Sequence, residues 1–70
     1  MAQFFFHVRN GTATVFKDET GDQLADGGDA MALAAVIAQE LADDDGQWRG
    51  YSVEVVDERG TEIGHVPIAG

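Results

Sequence analysis

Phe4-Phe5-Phe6-His7-Val8-Arg9-Asn10-Gly11 decides how this chain is read. The aromatic run and its valine give high strand propensity, and the Asn10-Gly11 pair behind them is the strongest short-range hairpin signal. The stretch therefore reads as a buried central strand that turns directly into a second one. Alternation with a period of two puts Phe4, Phe6 and Val8 on one face and Phe5, His7 and Arg9 on the other. The Phe4 face is the expected core.

With Asn10-Gly11 as the centre of a type I′ turn, Val8 faces Ala13, His7 faces Thr14, Phe6 faces Val15 and Phe5 faces Phe16. That register leaves Phe5 and Phe16 paired on the face away from the core.

The chain from Lys17 to Gln23 is polar, with Gly21 suited to a turn and Leu24 placed to plug the core edge. Asp26 is a good helix N-cap, with Asp29 three positions on as the acidic member of a capping-box-like arrangement, and Asp29 itself is the alternative cap. Ala30, Leu33, Ala34, Ile37, Ala38 and Leu41 recur at spacings of three and four and predict a helix over 30–42. Its small alanines let it lie close on a sheet, while Gln39, Glu40 and Asp43 face water and Gly46 is the expected C′ residue. Tyr51 to Val56 alternates apolar and polar, and Asp57-Glu58-Arg59-Gly60 suits a type I turn with a left-handed glycine. Thr61 to Ile68 returns, with Gly64 marking a bulge and Pro67 an edge strand.

The fold class that follows is α+β in the order ββαββ, as one small two-layer domain over residues 1–70. Two antiparallel hairpins and a right-handed crossover give a four-stranded sheet of spatial order 2-1-3-4, with one helix packed on one face. The other face is left open.

Several of these stretches also carry a family resemblance. They are Phe5 to Gly11, the Asp18-Glu19-Thr20-Gly21 turn, Leu24-Ala25-Asp26 before the alanine-rich helix, and Val53 to Gly60 ending in Val66-Pro67-Ile68. Together they resemble a family of short proteins of rhizobia and related alphaproteobacteria, classed as a domain of unknown function (six-eight-nine-four). The shared motifs are turns and core positions, so the resemblance implies a fold and carries over no catalytic or binding residue.

Composition narrows the function classes. Thirteen acidic residues against four basic ones give a net charge of −9, which repels phosphate backbones and anionic membranes. Arg9, Lys17, Arg49 and Arg59 are scattered singly, so no basic stripe tracks a nucleic acid. The expectation is no nucleic acid and no membrane as partner, with an acidic decoy for a basic protein as an alternative role. No apolar run approaches the ~20 residues that span a bilayer, and the first residues lack a signal-peptide pattern. With no cysteine, the chain is expected to be cytoplasmic. A core of this size rarely yields more than ~3–5 kcal/mol, so oligomerisation is the remaining source of buried area.

The candidate chemistries are few. Aligning Gly46 with the sixth position of a calcium loop puts Leu41 first and Ser52 twelfth, where acids are required, so Asp43-Asp44-Asp45 reads as a solvated helix end. Gly27-Gly28 is flanked by Asp26 and Asp29, which reject an anion, and reads as a capping loop. His7 and His65 are expected on strands two positions apart, about 10 Å from each other, so a shared metal is disfavoured and weak metal binding through either is kept as an alternative. One serine, one lysine and no cysteine supply no nucleophile constellation, and a fold this small is expected to lack a pocket of ~300 Å³. The chain is read as a non-enzyme without cofactor.

A surface remains. Phe5, His7, Phe16 and Val56 are expected on the uncovered sheet face, with Trp48 near its end, and contiguous apolar patches mark interaction sites. The expected role is a small interaction or regulatory domain that self-associates as a homo-oligomer, or binds another protein, through the open face or an edge strand.

Overall fold

The computed structural model describes residues 1–44 and 46–69. Its elements are β1 (Ala2–Asn10), β2 (Ala13–Phe16), β3 (Asp22–Leu24), α1 (Gly27–Ala42), β4 (Ser52–Asp57) and β5 (Glu62–Pro67). The class is α+β, with one helix and an antiparallel sheet of five strands among the described residues. The sheet runs β2-β1-β4-β5, and β3 pairs with β1 as well.

The expectation of four strands and a ββαββ order is corrected by β3. Asp22, Gln23 and Leu24 pair with Phe4, Gln3 and Ala2, so β3 lines the first half of β1 while β2 lines its second half. A mostly polar three-residue segment shows no alternation long enough to read as a strand; backbone pairing alone makes it one. Leu24 packs against the core from there.

The core lies between α1 and one sheet face. Phe4, Phe6 and Val8 of β1, Val53 and Val55 of β4, and Ala30, Ala34 and Ala38 of α1 are buried together with Ile68. Ala30 and Ala34 expose nothing, and their small side chains let α1 lie close over the Phe4, Phe6 and Val8 face of the sheet. Asp26 caps α1, its Oδ1 accepting from the Asp29 N–H at 3.0 Å. Asp43 and Asp44, exposed beyond its other end, bring no positive charge to the helix dipole. Asp45, the third member of that acidic run, lies outside the described residues. Gly46 has a left-handed φ of 69°, but it follows the C-cap Asp43 by three residues and is not the C′ position.

The first hairpin departs from its expected register. Asn10 pairs with Ala13, so Gly11 and Thr12 form the turn, with Gly11 at φ 63°. Arg9 then faces Thr14, and a bulge at Val15 sets Val8 opposite Phe16. The extra residue reverses the faces beyond it. Phe16 therefore stands on the helix side of the sheet and not opposite Phe5. The second hairpin has Gly60 at φ 83°, its N–H donating to the Asp57 carbonyl at 3.0 Å. Its bulge leaves Ile63 unpaired, beside Gly64.

Candidate functional site

The helix covers one side of the sheet, and the other carries residues from three strands in cross-strand rows. Phe5 stands opposite Val56, and His7 opposite Glu54, which is itself opposite His65. Arg9 Nη1 reaches Glu54 Oε2 at 3.2 Å and Glu62 Oε1 at 2.9 Å, and His65 Nδ1 lies 3.3 Å from Glu62 Oε2. Burial raises the pKa of Glu54, and the neighbouring Glu62 adds to the rise against the opposing charge of Arg9. Hydrogen bonding to Glu54 holds Glu62 down. The two carboxyl groups thus divide their protons unequally, with Glu54 the later to ionise.

Next to this charged row is a concavity of about 360 Å³ lined by Phe5, His7, Lys17, Asp18, Glu19, Val56, Asp57, Glu58 and Gly60. Its floor is apolar: the rings of Phe5 and His7 stack at 6.5 Å and 20°, and Val56 lies across from Phe5. Its walls are two turns held by their own aspartates. The Asp18 N–H donates to His7 Nδ1 at 3.0 Å, while the Asp18 carboxylate accepts from the N–H groups of Phe6, Thr20 and Gly21. Asp57 Oδ1 accepts from the N–H groups of Arg59 and Thr61 at 2.9 Å each.

The Asp18 contacts explain why the loop sits where it does. Phe6 lies between the part of β1 paired with β3 and the part paired with β2, so its amide faces an edge with no strand opposite. The Asp18 carboxylate fills that gap. Gly21 completes the turn at φ 73°, and a Cβ there would stand 2.8 Å from the Phe4 carbonyl and 2.9 Å from the Phe5 ring.

Of the expected surface residues, Phe5, His7 and Val56 come together at this concavity. Val56 is buried although it faces away from the helix, at 8% exposure. Phe16 and Trp48 are elsewhere. Phe16, 58% exposed, lines a second groove of about 340 Å³ with Phe6, Val8, Ile37 and Leu41 beside the helix. Trp48 packs against the core at the helix end, edge-on to Tyr51 at 5.4 Å, with Nε1 donating to Asp44 Oδ2 at 3.3 Å. The expectation that so small a fold lacks a concavity of this volume is corrected: loops before β3 and after β4 rise on either side of Phe5 and build one.

Sequence reasoning did not assign Asp18, Glu19, Asp57 and Glu58 to a site. Asp18 and Asp57 carry the signal of turn aspartates with a glycine three positions on, but nothing local says that both turns flank the same phenylalanine. Among the described residues no group of three or more His, Asp or Glu side chains is arranged to hold a metal ion. No described helix is long and apolar enough to cross a membrane.

No curated protein and no solved structure matches the chain. The family model described as Domain of unknown function (DUF6894) matches residues 3–69, nearly the whole sequence, and the chain belongs to that family.

Proposed function

We propose that this protein is a non-enzymatic interaction domain that binds another protein through the sheet face the helix leaves uncovered. The observation that carries this reading is the concavity over Phe5 and Val56: an apolar floor between two turns, each held by an aspartate hydrogen-bonded to backbone. Rigid turns around a small apolar floor need little ordering on contact, which favours binding.

The same residues argue against chemistry. The lining supplies His7, one lysine and four carboxylates, with no hydroxyl or thiol nucleophile, and His7 Nδ1 is already engaged by the Asp18 amide. They also favour a different partner over a second copy. Four carboxylates against Lys17 leave the lining at −3 with His7 neutral, so two copies placed face to face would set like charge against like. The β2 edge offers less, because it is four residues long and bulged at Val15.

The test is photo-cross-linking in the native host, with p-benzoylphenylalanine placed at position 5 and, as a control, at position 36 on the exposed outer side of α1. The reading expects a discrete heavier adduct from position 5 and none from position 36. Equal labelling from both positions, or no adduct from position 5, would overturn it.

A further inference from the structure

We infer that the concavity over Phe5 receives a lysine or arginine side chain presented by a basic segment of the partner protein. This rests on the open-face reading above and adds the chemistry of the contact.

Charge and shape point the same way. Asp18 and Asp57 are committed to backbone N–H groups, which fixes their carboxylates in the two walls. Glu19 and Glu58, exposed on the same walls, have no hydrogen-bond or ion-pair partner among the described residues. Between them lies the Phe5 ring, half-buried and stacked on His7. An aromatic ring with carboxylates around it is the environment that holds an ammonium or guanidinium group, the ring attracting the cation and the acids pairing with it. Lys17 on the rim opposes this with a single charge.

Size sets the class of guest. About 360 Å³ lies at the small end of ligand sites, which run ~300–1,000 Å³. It suits one long side chain inserted from a chain lying across the sheet. An anionic or wholly apolar guest would meet four carboxylates, two of them without a partner.

The experiment is a chemical-shift titration of the ¹⁵N-labelled full chain. The probes are an end-blocked Gly-Gly-Lys-Gly-Gly peptide, the same peptide with its lysine acetylated, and a glutamate counterpart. The lysine peptide is expected to move the amides of Phe5, His7, Val56 and Gly60, and the other two to leave them in place. Phe5→Leu, which keeps an apolar floor without the ring, should weaken binding roughly two- to fivefold, the loss of one exposed cation–π contact. Glu19→Gln with Glu58→Gln, on exposed loops, should weaken it comparably and reduce its salt dependence.

If the lysine and acetyl-lysine peptides move the same amides equally, the cation inference falls while the open-face reading stands. Shifts centred on Asp43 and Asp44 and indifferent to Phe5→Leu would also overturn it, as binding to a general acidic surface. Silence at the concavity with every peptide would overturn it too, and the cross-link from position 5 would then judge the open-face reading on its own.

Discussion

The backbone N–H of Asp18 donates to Nδ1 of His7 at 3.0 Å, and the Asp18 carboxylate returns to the N–H of Phe6 on the same strand. One loop residue thus fastens to two neighbouring residues of β1, at the point where the strand passes from β3 to β2. Because Nδ1 accepts, the His7 ring carries its proton on Nε2.

Asp18→Ala leaves the amides of Phe6, Thr20 and Gly21 without that acceptor. Loss of a part-buried acceptor costs about 1–3 kcal/mol, a large share of the ~3–5 kcal/mol that a domain of this size commands. Urea denaturation is expected to show a lowered midpoint, with faster hydrogen exchange at Phe6 and Gly21. An unchanged exchange rate at Gly21 would show that the carboxylate does not hold the loop.

Two glycines with similar backbone angles should respond differently to the same change. Gly11 and Gly21 both have a left-handed φ, at 63° and 73°, but a Cβ at Gly11 meets open space and one at Gly21 meets the Phe4 carbonyl. Gly11→Ala is expected to cost about 1 kcal/mol from conformation alone. Gly21→Ala should cost about 1–3 kcal/mol beyond that, because backbone must move. Equal midpoints for the two variants would contradict the close approach.

Helix packing gives a sharper contrast. Ala34 is fully buried against the sheet and Ala35, its neighbour, is exposed. Ala34→Leu overfills the contact and is expected to destabilise by about 1–3 kcal/mol, whereas Ala35→Leu should change stability little, since leucine and alanine have similar helix propensity. Thermal unfolding of the pair checks this.

The acidic pair on the open face predicts opposite pH dependences. Glu54 has a raised pKa in the fold, so its favourable contribution is complete at low pH and is lost as pH rises through the folded value. Glu54→Gln should therefore gain in Tm relative to wild type between about pH 4 and pH 7. Glu62 has a lowered pKa, so its contribution is present at neutral pH and is lost as pH falls through the folded value. Glu62→Gln should be weakest relative to wild type near neutrality, the gap closing on acidification. Parallel Tm profiles for the two variants would contradict the unequal pair.

What was legible in the sequence follows from which interactions are periodic. Phe4, Phe6 and Val8 alternate, and Ala30, Ala34 and Ala38 repeat every fourth residue, so both sides of the core could be read locally. Asp26 as N-cap, Gly60 in its turn and the irregularity at Gly64 were legible for the same reason: each is a residue type demanded by local geometry. Phe16 was misplaced because a bulge at Val15 carries no glycine or proline to announce it, and one extra residue exchanges the faces of everything beyond. β3 was missed because its pairing is made by backbone, which no side-chain pattern encodes. The site was half legible: alternation put Phe5 and His7 on the open face, but the meeting of the Asp18 and Asp57 turns around Phe5 is a tertiary fact.

Absolute mass by light scattering on a size-exclusion column, at low and high salt, tests most directly whether the open face is free for a partner of another kind. The account predicts a 7.5 kDa species under both conditions, unchanged in Phe5→Ser. A stable species of about twice that mass that Phe5→Ser returned to the monomer would contradict it, because the face would then be covered by a second copy of the chain.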